Sequence, residues 1–179
     1  MTNKKAQNVA ITAMFCAIAY VVMYVSKLIP INIAGFLSMD FKDIVVTICG
    51  FALGPVSAFC VSTVVSLLEM LSVSINGPVG LLMNVLSTCA FSCIASMVYI
   101  ISKSRTRAIW GVALGTVSMT ATMLLWNWFV TPAYMGVERA VVEGMLMPVF
   151  LPFNLIKGGL NALGVLVVYK PVLRALAKK

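Results

Sequence analysis

Histidine is absent from this chain of 179 residues, and only five residues are acidic. Few side chains therefore remain that could carry acid–base chemistry near neutral pH. Without a histidine, Cys89 and Cys93 also lack the usual partners of a protein metal site. Neither a G-x-x-x-x-G-K-[ST] phosphate loop nor an H-E-x-x-H motif occurs. We predict no catalytic residue, no metal site and no ability to couple ATP hydrolysis without a partner.

Charge is scarce as well, at 10% of residues, whereas hydrophobic residues make up 61% and the mean hydropathy is +1.05. Soluble domains carry about 25% charged residues, so this composition indicates an integral membrane protein. The net charge of +8 would suggest nucleic acid in a soluble domain. Most Lys and Arg residues lie at the ends of apolar segments, however, and membrane topology explains them better than nucleic-acid binding.

The apolar segments predict an all-α bundle of six transmembrane helices in a single membrane domain spanning residues 1–179. Turns rich in Gly and Pro separate the segments, among them Gly54-Pro55 and Gly77-Pro78. A longer, partly amphipathic connection is expected between the fifth and sixth helices. The predicted helices span about residues 7–26, 40–54, 56–73, 78–101, 108–130 and 152–170.

The distribution of basic residues predicts the orientation. Six spans place both termini and the loop between the fourth and fifth helices on one side, and all five acids on the other. Because cytoplasmic loops are enriched in Lys and Arg, both termini should be cytoplasmic, in a bacterial inner membrane. Nine of the thirteen basic residues fall on the side of the termini: Lys4, Lys5, Lys103, Arg105, Arg107, Lys170, Arg174, Lys178 and Lys179.

A polar stripe in the last predicted helix is the strongest candidate for a binding site. Asn154, Lys157 and Asn161 are three and four residues apart, so they share one face, which we expect to point into the bundle. An ammonium group inside a membrane span is costly and usually faces a cavity or a partner. An interhelical hydrogen-bond network, with Lys157 extending to the outer surface, is an equally good interpretation of the spacing.

Further polar and aromatic residues suggest what such a site would bind. Asn127 lies between Trp126 and Trp128, and Asn84 is another amide within an apolar helix. The aromatic residues could instead form an ordinary interfacial belt. Amides, an ammonium group and flat apolar surfaces together suit a planar heterocycle with polar edges better than an ion.

The acidic residues have simpler interpretations. Asp40 and Asp43 are expected to cap the second helix, where carboxylates satisfy free N–H groups. Glu69 could neutralise Lys157 or lie in the outer headgroup region.

Small residues predict close helix contacts. A stripe of alanines, Ala6, Ala10, Ala13 and Ala17, gives the first helix a groove in which an external partner helix could pack. The pairs Gly50/Gly54 and Gly111/Gly115 are interpreted as contacts within the bundle.

In several of these motifs the chain resembles a known family, the substrate-binding S components of energy-coupling factor transporters. The resemblance is strongest to the riboflavin-binding members of that family. The similarity covers nearly the whole chain, and the motif at residues 152–158 is the most specific. The residues that carry it are the alanine-rich first helix, 37–43 (LSMDFKD), 50–55 (GFALGP), 77–80 (GPVG) with Asn84, 126–129 (WNWF) and 152–158 (PFNLIKG).

The resemblance implies a membrane protein that is not an enzyme and needs no cofactor. It would bind riboflavin, as the transported ligand, near its outer face and then dock on a transmembrane coupling protein with two ATPase subunits. Its contacts with lipid would be those of any membrane protein, and nucleic acid would have no role.

The resemblance also implies roles for particular residues. Asn127, Asn154 and Lys157 match the polar contacts of the flavin, while Ala13 and Ala17, with Ala10 beside them, match the docking face. Trp126, Trp128 and Phe153 are candidate apolar walls, and Asn84 and Asp40 complete the predicted binding set.

Departures from the riboflavin-binding pattern, at Val65-Ser66 and in the run after Asn84, leave two alternatives open. One is an S component for another vitamin or a flavin analogue, and the other is a membrane enzyme or a stand-alone channel.

Overall fold

Eight α-helices account for most of the described chain, which comprises residues 4–28, 32–33, 37–74 and 76–177 of a computed structural model. A π-helical segment, Leu146–Phe150, joins α7 to α8 without a break. Strands β1 (Asn32–Ile33) and β2 (Leu37–Ser38) form a short antiparallel ladder, with Asn32 opposite Ser38. The helices are α1 (Lys4–Leu28), α2 (Lys42–Leu53), α3 (Pro55–Ser72), α4 (Gly77–Ile100), α5 (Arg105–Phe129), α6 (Thr131–Met135), α7 (Arg139–Met145) and α8 (Leu151–Ala177).

Local sequence explains where the helices begin and end. Gly54 has φ +106°, a conformation that L side chains rarely adopt, and it ends α2 directly before Pro55 opens α3. Pro78 likewise falls in the first turn of α4. The Ser104 side chain caps α5 by accepting a hydrogen bond from the backbone N–H of Arg107 at 3.2 Å.

The prediction of an all-helical membrane bundle is confirmed. Five stretches in the described residues are long and apolar enough to cross a membrane: Lys4–Leu28, Pro55–Ser72, Gly77–Ile100, Arg105–Phe129 and Arg139–Ala177. The second predicted helix forms, but α2 has only 12 residues, or about 18 Å, against a hydrocarbon core of about 30 Å. It is instead an inner helix, and its residues from 46 to 51 are all buried.

Several predicted ranges differ from the observed helices, among them the starts of α1 at Lys4 and of α5 at Arg105, which each come three residues earlier than predicted. Helix α2 begins at Lys42 rather than Asp40. The connection after α5 contains α6 and α7, because its amphipathic stretch forms short helices. The last helix runs on to Ala177, since Pro171 lies inside α8 without ending it.

Close packing of α5 on α4 depends on Gly111 and Gly115. A Cβ atom added at Gly111 would lie 2.7 Å from the carbonyl oxygen of Ala95, and one at Gly115 would lie 2.6 Å from that of Phe91. Because the nearest atoms are backbone, a side chain at either position would force α4 and α5 apart, so this close packing depends on glycine. The predicted role of this pair in packing is confirmed.

Aromatic side chains close the end of the bundle that holds the termini. Phe51 stacks on Tyr99 with ring centroids 4.1 Å apart, and Tyr169 meets both rings edge-on at 5.8 and 6.0 Å. Because successive long helices alternate in direction, the ends of α1, α3 and α5 meet the starts of α2, α4 and α8 at the opposite end. That opposite end is polar, and the candidate site lies there.

Candidate ligand-binding site

A polar cavity of about 50 Å³ lies among the helices at the end opposite the termini. Its walls are formed by residues of α1, α3, α4, α5 and α8, of the segment before α2 and of the turn between α3 and α4. The lining residues are Lys27, Asp40, Glu69, Ser74, Asn76, Met83, Asn84, Ser87, Met123, Asn127, Phe153, Asn154 and Lys157. The cavity therefore brings together six of the eight binding residues predicted from the sequence: Asn127, Asn154, Lys157, Phe153, Asn84 and Asp40.

The ammonium group of Lys157 faces the bundle interior and pairs with Asp40. Its Nζ lies 3.0 Å from Asp40 Oδ2, and the two side chains are only 8% and 3% exposed. Asn161 Nδ2 supports the pair by donating to the carbonyl oxygens of Asp40 and Lys157, at 3.3 and 3.0 Å. All three members of the predicted stripe are buried, Asn154 included, so the stripe faces inward as its spacing predicts. Lys157 does not extend to the outer surface.

Asp40 is not a helix cap, contrary to the sequence-based prediction. The N-cap position of α2 is Phe41, and no side chain caps this helix end. Asp40 precedes α2, outside the membrane-spanning helices. Burial by itself would raise its pKa, but the Lys157 and Lys42 ammonium groups outweigh that effect and lower the pKa to about 2. The carboxylate is therefore ionised where it lines the cavity.

Glu69 holds two other lysines, so both predicted roles for it were wrong. Its Oε1 lies 2.6 Å from Lys27 Nζ and its Oε2 lies 2.5 Å from Lys42 Nζ. Glu69 and Lys42 are each 1% exposed, which places this carboxylate inside the bundle rather than among headgroups. The two ion pairs connect α1, α2 and α3 beside the cavity.

Asp43 lies in the first turn of α2, yet its carboxylate bonds to a neighbouring helix. Oδ1 accepts a hydrogen bond from Thr88 Oγ1 of α4 at 2.7 Å. One turn later, Thr47 and Ser92 hydroxyls lie 2.8 Å apart across the same interface. The predicted capping role is thus wrong for Asp43 too, because the carboxylate joins α2 to α4.

An apolar cavity of about 140 Å³ adjoins the polar one. Tyr134 in α6 donates its hydroxyl to Asn76 Oδ1 at 3.3 Å, which links α6 to the start of α4 across this cavity. Asn76, Met83 and Asn127 line both cavities and so form the partition between them. The remaining lining residues are Val79, Gly80, Trp126, Thr131, Tyr134 and Met135.

The two amides expected to contact ligand also form hydrogen bonds within the protein. Asn127 Nδ2 donates to the carbonyl of Met123 at 2.7 Å, and its Oδ1 accepts from Thr131 Oγ1 at 2.9 Å. Asn154 Nδ2 donates to the carbonyl of Phe150 at 2.7 Å. A carboxamide has two N–H donors and two lone pairs, so each amide keeps capacity for a ligand.

Trp128 does not line either cavity. Its Nε1 donates to Glu143 Oε1 at 2.8 Å, and the Arg139 guanidinium lies 5.2 Å from the ring centroid. Both partners belong to α7, so Trp128 holds that short helix against α5. Of the two predicted tryptophan walls, only Trp126 borders a cavity, and it is the apolar one.

Sequence reasoning missed several lining residues. Lys27 was visible only as a basic residue at the end of a span, and Met83 as one of many apolar residues. Asn76 had a usable signal, because it lies in the turn before α4, at the same end of the bundle as the other polar residues.

The predicted docking face of α1 is exposed. Ala10, Ala13 and Ala17 are all on the surface of the bundle. Beside them, an open groove of about 500 Å³ runs between α1 and α3. It is lined by Asn8, Val9, Thr12, Ala13, Cys16, Ser57, Cys60 and Val64.

Comparison with known proteins gives this arrangement a family. The profile of the family described as "ECF transporter, substrate-specific component" matches residues 7–169. The chain belongs to this family of S components. As an S component it is the substrate-binding part of a membrane transporter and not an enzyme, as the resemblance implied.

Two curated relatives of this S component are riboflavin transporters named RibU. The one from Staphylococcus aureus is 30% identical over 164 residues, which are 88% of this chain and 86% of the relative. The one from Streptococcus thermophilus is also 30% identical, over 191 aligned positions covering 99% of this chain and 87% of the relative.

Solved structures share the fold of this S component. The S component of a bacterial ECF transporter superposes with a TM-score of 0.80 at 28% identity, covering 96% of this chain and 98% of that one. ThiT from Listeria monocytogenes gives a TM-score of 0.54 at 20% identity, with 98% and 96% covered, and shares the fold alone.

Proposed function

We propose that this S component binds riboflavin at the outer face of the membrane and delivers it to an ATP-driven module. The observation that carries the proposal is the pair of adjoining cavities, one lined with charges and amides and the other largely apolar. Two relatives that are riboflavin transporters support the choice of ligand. Riboflavin would be the transported ligand and not a cofactor.

The isoalloxazine ring of riboflavin has matching polarity. One end carries two carbonyl groups and an N–H, and the other is a dimethylbenzene. We place the polar end against Asn127, Asn154 and Lys157, where ammonium and amide groups can donate to the carbonyls. The dimethylbenzene end then lies against Trp126 and Met83, which border the apolar cavity.

Binding requires the two cavities to merge. Their volumes of about 50 and 140 Å³ are below the range of about 300–1,000 Å³ that is usual for ligand pockets. The partition includes Met83, whose unbranched side chain changes rotamer readily. Movement of Met83, together with a change in the Tyr134–Asn76 contact, would open one continuous slot for a flat ring.

Delivery would depend on partners. The exposed alanines Ala10, Ala13 and Ala17, with the groove beside them, offer a surface on which a helix of a transmembrane coupling protein can pack closely. Two ATPase subunits would supply the energy. With both termini cytoplasmic, the cavities would open to the outside, where the vitamin is captured.

Titration of the purified protein tests the ligand. Riboflavin fluorescence should be quenched on stoichiometric addition of protein, and protein purified from rich medium should be yellow with flavin absorbance. Thiamine and biotin at the same concentrations serve as control ligands and should not displace riboflavin. Colourless protein that leaves riboflavin fluorescence unchanged would refute the proposed ligand, and binding of another vitamin would replace it.

Uptake by a riboflavin-requiring host tests the mode of action. We expect uptake only when the coupling protein and both ATPases are expressed with this chain. Uptake without that module would show a stand-alone channel and refute the proposed dependence on partners.

A further inference from the structure

The Asp40 carboxylate differs from the other carboxylate of the polar cavity because it has an oxygen to spare. Glu69 uses both of its oxygens, one with Lys27 and one with Lys42. Asp40 uses Oδ2 with Lys157, while Oδ1 has no hydrogen-bond partner among the described residues. The residue is only 2% exposed, so water at the protein surface does not compensate. A buried acceptor without a donor is unfavourable, and a ligand that brought a donor would relieve it.

Two hydrogen-bond donors that line the polar cavity lie on α8. Lys157 presents an ammonium group, which only donates, and Asn154 precedes it by three residues on the same face. Asn154 spends one of its two N–H groups on the carbonyl of Phe150 and keeps the other. Asn154, Asp40 and Lys157 all line the polar cavity. The wall therefore combines two donors with one acceptor.

We infer that Asp40 accepts a hydrogen bond from an imide N–H of the ligand, whose two neighbouring carbonyl oxygens accept hydrogen bonds from Lys157 and Asn154. This inference rests on the proposed function and narrows the ligand class to flat rings with a carbonyl, N–H, carbonyl edge. The pyrimidine end of isoalloxazine has that edge. Asp40 would thus select the ligand directly, besides holding Lys157 in place.

The ionisation of Asp40 makes the selection strong. A hydrogen bond to a charged acceptor is about twice as strong as one between neutral groups. A ligand without the imide hydrogen would bury the carboxylate against an apolar or accepting group and leave the oxygen unpaired. Sites that hydrogen-bond a substrate N–H reject analogues lacking it for this reason.

Analogues of riboflavin test the inference on the unmodified full-length protein. In 3-methylriboflavin a methyl group replaces the imide hydrogen, and we expect its dissociation constant to exceed that of riboflavin by at least about 30-fold. The matched control ligand is 5-deazariboflavin, which keeps the imide edge but lacks the N5 acceptor. It should bind within about threefold of riboflavin. Fluorescence quenching, or competition with riboflavin, gives all three constants.

A residue–ligand cycle separates recognition from structure. Asp40→Ala should weaken riboflavin binding at least about tenfold more than it weakens 3-methylriboflavin binding. The loss of Lys157 positioning affects both ligands, whereas only riboflavin has an imide hydrogen to donate to Asp40. Asp40→Asn keeps an oxygen acceptor without the charge and should give an intermediate loss for riboflavin. A purely structural role would weaken both ligands by the same factor.

Equal affinities of the unmodified protein for riboflavin and 3-methylriboflavin would overturn this inference and leave the proposed function standing. Equal losses for both ligands in Asp40→Ala would do the same. Failure of the unmodified protein to bind riboflavin at all would overturn the proposed function and this inference with it. If the Asp40 variants do not fold, the comparison of ligands on the unmodified protein decides.

Discussion

Removing the charge of Glu69 should strongly destabilise the end of the bundle that lies opposite the termini. The substitution Glu69→Gln keeps the shape of the side chain but ends its ion pairs with Lys42 and Lys27. Lys42 is 1% exposed and has no route to water, whereas the Lys27 side chain is 22% exposed and can turn outward. The cost should therefore come mainly from Lys42, left as a buried charge with only more distant carboxylates to offset it.

The distances set the size of this effect. At 2.5 Å, and with an effective dielectric constant of about 20, the Glu69–Lys42 pair is worth about 6–7 kcal/mol of Coulomb energy. Desolvation of the two groups opposes this gain by several kcal/mol. Removing the charge of one partner in a buried ion pair costs about 3–5 kcal/mol of stability, because the other charge is left unpaired. For a chain of this size that corresponds to a fall in melting temperature of about 6–20 °C.

Thermal unfolding in detergent micelles, followed by circular dichroism, measures the shift. Glu138→Gln, at an exposed position in the connection between α5 and α8, is the matched control and should move the midpoint by less than about 2 °C. The double variant Glu69→Gln/Lys42→Met should recover at least half of the loss, since it removes the buried ammonium group that the single change leaves unpaired. A Glu69→Gln shift no larger than that of the control, or a double variant less stable than Glu69→Gln, would refute the reasoning.

Three further outcomes follow from the packing and the site. Gly115→Ala should lower the free energy of unfolding by about 1–3 kcal/mol, because the added methyl group clashes with α4. The control Gly144→Ala has open space around it and should be neutral in the same thermal assay. Equal effects of the two substitutions would contradict the packing argument. Lys157→Met should weaken riboflavin binding about 100-fold in fluorescence titrations, since both a charge-assisted hydrogen bond and an ion pair are lost. The control Lys103→Met, at the opposite end of the bundle, should bind riboflavin normally. Normal binding by both variants would exclude the polar cavity as the binding site. Ala13→Trp should leave the affinity for riboflavin unchanged but abolish uptake with the complete module, because the indole ring fills the exposed groove. Loss of riboflavin binding in this variant would mean that the groove is not a docking face.

Much of the fold was predictable because membrane helices declare themselves by length and apolar content. The Gly54-Pro55 turn was visible for the same local reason that makes it form, a positive φ followed by a proline. The inward-facing stripe through Asn154 and Lys157 followed from helical periodicity alone. These features depend on residues at most a few positions apart.

The ion pairs were not predictable in the same way. Asp40 and Lys157 are 117 positions apart, and nothing local distinguishes a carboxylate that reaches across a bundle from one that caps the helix it precedes. Glu69 illustrates the same limit, since its two lysines lie on α1 and α2 and its distance to either depends on how those helices pack. Trp128 was predicted to be a cavity wall, and only the three-dimensional structure shows that α7 folds back beside it and binds its ring.

The short helices α6 and α7, between α5 and α8, were missed for a different reason. Residues 131–145 contain one clear stop signal, Gly136, with φ +66° at the end of α6. Segments of five and seven residues are too short for periodicity to identify. Their helical form depends on contacts such as Trp128 with Glu143, which exist only once the bundle has formed.

The attachment of Lys27 and Lys42 to one carboxylate has an evolutionary consequence. Both ends of the segment between them, residues 28–41, are anchored through lysine side chains to Glu69, so its length contributes little to the placement of α1 and α2. Closure entropy rises only slowly with loop length, by about 0.6 kcal/mol for each doubling. Substitutions and insertions there could change what the neighbouring cavity accepts while the helices keep their positions. The two ion pairs of Glu69 would thus allow the transported ligand to change during evolution while the arrangement of the membrane helices stays the same.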